Sequence, residues 1–125
     1  MAPPKLLIAE DDKVTQALYK KGIPENLCTT KIVGNGQEAI DVYQEWQPDI
    51  ILLDYSMPIV NGYQALKTIR GSEAGKKPTI IMVTSMADKD NIIACAQLGI
   101  QGYLVKPFRT DEIAVKIFQM HKARK

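Results

Sequence analysis

The chain has 125 residues, of which 46% are hydrophobic and 24% charged, and its 16 basic and 14 acidic residues leave a net charge of +2. This is the size of one ordinary domain with enough apolar residues for a core. The only basic cluster is the tail 121–125, which we interpret as a frayed, solvated helix end and not as a contact to nucleic acid. No apolar run approaches the roughly 20 residues that span a bilayer, and the N-terminus lacks the apolar stretch of a signal peptide, so we expect a cytoplasmic protein without membrane insertion.

The first half of the chain alternates short apolar runs with longer amphipathic stretches. An apolar run over 5–12 ends in acids and precedes a helix predicted over 13–22, with Asp12 as its N-cap and Gly22 at its C-terminal stop. The apolar residues at helical spacing are Val14, Ala17 and Leu18. A second strand is predicted over 28–33, and its Cys28, like Cys95 further on, reads as a buried thiol outside any C-x-x-C pair.

A second helix over 34–47 opens with Asn35 and Glu38 at the spacing of a capping box, and Pro48 ends it. Its expected apolar face consists of Ala39, Ile40, Tyr43 and Trp46. The next strand, 50–53, is wholly aliphatic and runs directly into Asp54. Such continuous runs are typical of strands that are buried on both faces.

The second half repeats the pattern. Pro58 fixes a turn, Met57 beside it is expected to pack, and a helix bounded by glycines is predicted over 61–71. After a Gly-rich loop (71–78) come a strand, a helix with Asp88 as its cap, a short strand and a last helix; their predicted ranges are 78–85, 89–99, 102–105 and 110–125. Acids in the first turn of the last helix and bases in its last turn suit the helix dipole.

Five successive strand–helix units predict an α/β fold with a parallel sheet that is covered by helices on both faces. The crossover connections should be right-handed. We find no repeat, low-complexity segment or second domain, so residues 1–125 are expected to form one domain. The only histidine, His121, lies in the basic tail without a second ligand candidate nearby, and we assign it no metal or catalytic role.

Conspicuous polar residues follow four of the five predicted strands. In chain order they are Glu10, Asp11, Asp12, Asp54, Thr84, Ser85, Lys106 and, with Lys106, Pro107. The carboxyl ends of parallel strands share one edge, where the functional crevice of an open α/β sheet lies. Each residue taken alone has an ordinary structural explanation, such as a helix cap or a turn, but their joint placement predicts a site.

Electrostatics indicate what that site binds. Two carboxylates about 4 Å apart repel by about 4 kcal/mol at an effective dielectric near 20, so a partly buried acidic cluster needs a cation. Mg²⁺ suits an oxygen-only set of ligands. With a metal, Lys106 and the hydroxyl of Thr84 around it, Asp54 is arranged to attack a phosphoryl group. The alternative is a generic flavodoxin-like domain whose surplus acidic residues at the loop ends have no chemical role.

Four segments together resemble the receiver domain of two-component response regulators, including the single-domain chemotaxis regulators. They are LLIAEDD, IILLDYSMPIVNGYQAL, IIMVTSMA and GYLVKPF, in this order and at these intervals. The resemblance covers essentially the whole chain. It implies a flavodoxin-like (βα)5 fold with a five-stranded parallel sheet in the order 2-1-3-4-5.

The resemblance also implies a role for each acidic residue. Asp54 would be the phosphoryl acceptor. Asp11 would bind Mg²⁺ directly, together with Asp54 and the backbone carbonyl of Ser56, and Glu10 would contribute through water. Asp12 lies one position past the acidic pair and is expected to cap the helix.

The remaining roles concern the phosphoryl group and its readout. Thr84 would be the switch hydroxyl that moves toward the phosphoryl group, Lys106 would pair with one of its oxygens, and Ser85 is small enough to leave it room. Tyr103 would be the aromatic rotamer switch. The positions implied to tune the lifetime of the phosphorylated state are Ser56 and Met86. The Lys106–Pro107 peptide bond is expected to be cis.

By this resemblance the chain is a signalling switch and not an enzyme with turnover on other substrates. Because its one histidine lies in the tail, the phosphoryl donor would be a separate histidine kinase or His-containing phosphotransfer protein. A downstream target would bind the face formed by the fourth helix, the fifth strand and the fifth helix (α4-β5-α5), with the chain a monomer or a weak phosphorylation-dependent dimer. Exposed candidates there are Lys89, Asn91, Gln97, Tyr103, Arg109 and Lys116.

Other functions fit the sequence less well. A phosphohydrolase of the haloacid dehalogenase type would need an acid where Ser56 stands, and a flavin-binding domain would need a phosphate-cradling loop in place of residues 10–13. A phosphorylation-independent binding module would not need the full polar set. The chain could equally be a receiver excised from a longer, for example DNA-binding, regulator, and the sequence does not identify the kinase, the target or the signal.

Overall fold

The computed structural model describes residues 2–72, 77–86 and 88–123. Within these ranges strands and helices alternate as predicted. The elements are β1 Lys5–Ala9, α1 Lys13–Gly22, β2 Thr29–Val33, α2 Gly36–Trp46, β3 Ile50–Asp54, α3 Gly62–Arg70, β4 Thr79–Ser85, α4 Ile92–Leu98, β5 Gly102–Lys106 and α5 Ile113–Ala123. None of the helices in the described ranges is both long enough and apolar enough to cross a membrane.

All strand pairs are parallel, and their order across the sheet is β2-β1-β3-β4-β5. The predicted flavodoxin-like fold and its strand order are therefore confirmed. β3 occupies the centre and is buried along its whole length, including Asp54. In register, Ala9 of β1 lies beside Leu53, and Val83 of β4 lies beside Asp54, so β1 ends one position before β3 and β4 continues two residues past it to Ser85.

Helices pack on both faces of the sheet and form two separate cores. Successive residues of β3 alternate between them: Ile51 and Leu53 face the core beneath α2, α3 and α4, whereas Ile50 and Leu52 face the core beneath α1 and α5. Cys95 lies in the first core and Cys28 in the second, and both thiols are free and buried, as predicted.

The packed side of α1 differs from the one that the sequence suggested. Val14, Ala17 and Leu18 are exposed, and the helix instead buries Tyr19, with Ile23 following at its C-cap. The ring of Tyr19 stacks on Phe108 with the ring centroids 5.0 Å apart. Because Tyr19 supplies a larger buried surface than the aliphatic residues on the opposite side, it turns the helix toward the β5–α5 connection. Asp12 caps α1 as predicted, accepting the N–H of Thr15 at 2.9 Å.

Two other helix starts also differ from the prediction. A 3-10 turn, Lys89–Asn91, precedes α4, and the side chain of Asp88 accepts a hydrogen bond from Ser85 and does not cap the helix. The last helix begins only at Ile113, so the acids that were predicted in its first turn precede the helix. One of them, Asp111, pairs there with Arg109. The predicted loop 71–78 and the chain end fall partly outside the described residues.

The capping box predicted for α2 is only half formed. Asn35 accepts the N–H of Glu38, but the carboxylate of Glu38 accepts the N–H of Gly34 instead of that of Asn35. A complete capping box occurs at α3, between Asn61 and Gln64, where sequence reasoning did not place one.

Candidate functional site

Carboxylates from two neighbouring strands meet at the carboxyl edge of the sheet, as the sequence predicted. Glu10 and Asp11 follow β1, and Asp54 ends β3. One carboxylate oxygen from each of the three lies within 4.8 Å of the other two. Glu10 and Asp54 are almost wholly buried, at 1% and 6% exposure, whereas Asp11 is exposed. The cluster is therefore buried at the edge of the sheet, and Asp11 is its solvent-exposed member.

A close approach between β3 and α3 positions Asp54. Tyr55, the next residue, donates its N–H to the carbonyl of Val83 at 2.7 Å, and its own carbonyl accepts the N–H of Gly62 at 2.9 Å. A Cβ atom at position 62 would overlap the carbonyl oxygen of Asp54. Glycine is therefore required where α3 begins, because the helix packs directly against the end of the strand that carries Asp54.

Gly62→Ala is expected to lower the free energy of unfolding by about 2 kcal/mol, because the added methyl group must displace backbone atoms. Urea denaturation measures the change. Gly34→Ala is the matched control, since its Cβ would lie 3.4 Å from the end of the flexible Glu38 side chain. We expect that control to stay within about 0.5 kcal/mol of wild type. Equal losses in the two variants would contradict this packing argument.

Lys106 joins the two buried carboxylates. It ends β5, and its Nζ lies 2.7 Å from Oε1 of Glu10 and 2.9 Å from Oδ2 of Asp54. Burial alone would lower the pKa of Lys106, but the hydrogen bonds to Glu10 and Asp54 outweigh burial and raise it. Burial raises the pKa of Glu10, and the hydrogen bonds from Lys106 and from the N–H of Asp12 oppose that rise in part.

The charges and donor atoms of the cluster fit a divalent cation. Among the described side chains, Lys106 is the ammonium in contact with the cluster, against the three carboxylates of Glu10, Asp11 and Asp54. Negative charge is therefore left over at a site where the like charges repel one another. All the available ligand atoms are oxygens at a spacing that one ion can bridge, which is the chemistry that Mg²⁺ prefers.

The opposite wall of the site carries two hydroxyls. Thr84, buried at the end of β4, donates to the carbonyl of Ser85 at 3.3 Å, and the hydroxyl of Ser85 donates to Asp88 at 3.1 Å. Together with the carboxylates these groups enclose a cleft of about 320 Å³. Its lining residues are Glu10, Asp11, Asp12, Asp54, Tyr55, Ser56, Thr84, Ser85, Asp88 and Lys106.

The structure thus brings together the predicted site residues of β1, β3, β4 and β5, with Ser56 in the same cleft. Met86 is exposed beyond the cleft wall. Sequence reasoning missed Gln16, whose side-chain amide donates to the carbonyl of Glu10 at 2.6 Å, and it missed Tyr55 and Asp88 as lining residues. No sequence signal marked Gln16 or Tyr55, whereas Asp88 carried a competing one as a helix cap.

On the face formed by α4, β5 and α5, the predicted readout residues are exposed where their side chains are described. These are Asn91, Gln97, Tyr103, Arg109 and Lys116. The side chain of Lys89 lies outside the described part of the chain. Tyr103 is 43% exposed, and the apolar side chains of Ile93 and Val115, which we did not predict, add to this face. The Lys106–Pro107 peptide bond is cis, as expected.

Comparison with known proteins agrees with this geometry. A sequence model of the response regulator receiver domain matches residues 6–118. The chain is 29% identical over 109 residues to the chemotaxis protein CheY of Halobacterium salinarum, covering 87% of this chain and 89% of that protein. It is 31% identical over 128 residues to DctR of Bacillus subtilis, a probable C4-dicarboxylate response regulator, covering 96% of this chain but 54% of DctR.

A solved structure is similar over the same extent. It is the receiver domain of a sensor histidine kinase from Pseudomonas aeruginosa, determined with magnesium coordinated in its active-site cleft. The TM-score is 0.85 at 28% identity, and the match covers 98% of this chain and 100% of that one.

Proposed function

Because the chain belongs to the response regulator receiver domain family, we propose that Asp54 accepts a phosphoryl group from a histidine kinase or a His-containing phosphotransfer protein in a Mg²⁺-dependent reaction. One observation supports this more than any other. Lys106 and the carboxylates of Glu10 and Asp11 converge on Asp54 at the sheet edge, where a negatively charged group needs cations around it.

The side chains have distinct tasks in this proposal. Asp11, Asp54 and the carbonyl of Ser56 would hold Mg²⁺, with Glu10 contributing through water, and the bound ion would neutralise phosphoryl oxygens. A carboxylate oxygen of Asp54 attacks phosphorus while the bond from phosphorus to the donor's imidazole nitrogen breaks, and the imidazole leaves in its neutral form because its other ring nitrogen carries a proton. Lys106 pairs with a phosphoryl oxygen and holds it in place. Water later cleaves the acyl phosphate to the carboxylate and inorganic phosphate.

The phosphorylated state would be read out at a distance from Asp54. The hydroxyl of Thr84 breaks its hydrogen bond to the carbonyl of Ser85 and donates to a phosphoryl oxygen instead. Tyr103 then moves into the space that Thr84 leaves, so phosphorylation shifts the population between two packing arrangements of the protein. The face of α4, β5 and α5 would then bind a downstream target protein, with the chain a monomer or a weak phosphorylation-dependent dimer. Ser56 and Met86 would tune the lifetime of this state, and Ser85 would leave room for the phosphoryl group.

The proposed function is tested by intact-mass measurement after incubation with acetyl phosphate, with Mg²⁺ or with EDTA. We expect the wild-type chain to gain one phosphoryl group with Mg²⁺ and none with EDTA, because the carboxylates then lack their second cation. No gain under either condition would refute the proposal and leave a phosphorylation-independent binding domain.

Thr84→Ala is expected to accept the phosphoryl group but to lose its transmission to α4. Removing the hydroxyl leaves Asp54, Lys106 and the acidic cluster intact, so the mass gain should persist. Amide spectra of phosphorylated and unphosphorylated protein measure the response of residues 92–98. If those shifts match the wild-type shifts, the proposed coupling through Thr84 is wrong.

A further inference from the structure

We propose that Asp88 is a positioning residue that opposes phosphorylation of Asp54, because its carboxylate holds the hydroxyl of Ser85 within the β4–α4 connection and adds negative charge to the cleft wall. This inference rests on the proposed function. It concerns how readily the phosphorylated state forms and how long it lasts.

Asp88 and Ser85 are tied together by several hydrogen bonds. The hydroxyl of Ser85 donates to Oδ2 of Asp88 at 3.1 Å. In return the N–H of Asp88 lies 3.3 Å from the Ser85 hydroxyl oxygen and 3.2 Å from its carbonyl oxygen. Both residues are half-buried and both line the cleft that contains Asp54. The carboxylate of Asp88 is thus part of the cleft wall and is not used to cap α4, which begins at Ile92.

A hydroxyl has one proton to donate, so Ser85 cannot donate to Asp88 and to a phosphoryl oxygen at the same time. In the unphosphorylated structure that proton is committed to Asp88. The hydroxyl of Thr84 is likewise committed, to the carbonyl of Ser85. The hydroxyls of Thr84 and Ser85 must therefore each leave a present partner before they can contact the phosphoryl group.

Charge acts in the same direction. A phosphoryl group adds about −1.5 to −2 charges at neutral pH. It would enter a cleft that already contains Glu10, Asp11 and Asp54, where Lys106 contacts the carboxylates of Glu10 and Asp54. A further carboxylate on the wall repels the added charge. Asp88 therefore stabilises the unphosphorylated state relative to the phosphorylated one both by hydrogen bonding and by charge.

The test separates these contributions from a purely structural role. Asp88→Asn keeps an oxygen that can accept the Ser85 hydroxyl but removes the charge, and Asp88→Ala removes both. Asp90→Asn is the matched control, because Asp90 is an exposed acid two residues further along and does not line the cleft. The rate of phosphoryl loss after removal of acetyl phosphate is followed by intact mass, and thermal unfolding of each variant checks its folding.

We expect Asp88→Asn to lengthen the phosphorylated lifetime about threefold, the effect typical of one partly solvated charge. Asp88→Ala should lengthen it further, and Asp90→Asn should leave it unchanged. In a Ser85→Ala background Asp88→Asn should keep its effect, whereas the additional gain of Asp88→Ala should vanish.

Equal lifetimes for wild type, Asp88→Asn and Asp88→Ala would overturn the inference while leaving the proposed function standing. A lower thermal stability without a longer lifetime would assign Asp88 a structural role alone and would also overturn it. If the wild-type chain takes up no phosphoryl group, the proposed function itself fails, and the inference fails with it.

Discussion

Asp54→Asn is expected to abolish phosphoryl uptake from acetyl phosphate. The amide oxygen of asparagine carries no negative charge and is a poor nucleophile toward phosphorus, so no acyl phosphate can form. The substitution preserves the shape of the side chain, and Lys106 keeps its 2.7 Å contact with Glu10, so the fold should be retained. Intact mass after incubation with Mg²⁺ and acetyl phosphate measures the result.

The matched control for this substitution is Asp49→Asn. Asp49 lies immediately before β3, at the opposite end from Asp54, where its carboxylate accepts the N–H of Lys5 at 2.8 Å. The same chemical change there should leave phosphoryl uptake at the wild-type level. If Asp54→Asn still gains a phosphoryl group, another carboxylate of the cluster is the acceptor, and peptide mapping would identify it.

The sheet could be predicted from the sequence because its central strands are buried on both faces. Runs such as 50–53 are aliphatic at every position, which leaves little ambiguity about their burial or their place in the centre of a parallel sheet. The helix α1 was harder. The helix itself was predicted over the correct residues, 13–22, but Val14 and Leu18 lie on its exposed side. The larger Tyr19 is buried instead, because it stacks on Phe108, which lies 89 positions further along the chain.

The site was predictable for a topological reason. Parallel strands bring their carboxyl ends to one edge, so residues that follow different strands meet whatever their separation in sequence. No such rule predicts which side chains meet within the segment that connects a strand to the next helix. Asp88 has the composition of a helix cap, and only the three-dimensional structure shows that the helix begins later and that its carboxylate belongs to the cleft wall. The requirement for glycine at position 62 is likewise visible only where two backbones approach each other.

Lys106→Met is expected to destabilise the metal-free protein by about 2 to 3 kcal/mol. It leaves Glu10 and Asp54, both more than nine-tenths buried, without their ammonium partner. Lys106 itself remains a quarter exposed, so the loss should lie at or below the lower end for a broken buried ion pair. Urea denaturation in EDTA measures it. Mg²⁺ should stabilise this variant more than it stabilises wild type, because the ion then faces the carboxylates without competition.

Lys116→Met is the matched control, since Lys116 is an exposed lysine whose Nζ lies 3.6 Å from Glu112, and it should change stability by less than about 0.5 kcal/mol. The pH dependence gives a second check. The pKa of Lys106 in the folded protein is raised above its usual 10.5. The contribution of the Lys106 ammonium to the free energy of unfolding is therefore not reduced by Lys106 deprotonation below about pH 10.5, and it is lost as the pH rises through the raised folded-state pKa. As the pH of EDTA-treated protein is raised from neutral, the stability difference between wild type and Lys106→Met should therefore persist up to about pH 10.5 and shrink above it. A variant as stable as wild type at neutral pH would contradict a stabilising contribution of Lys106 to the buried carboxylates.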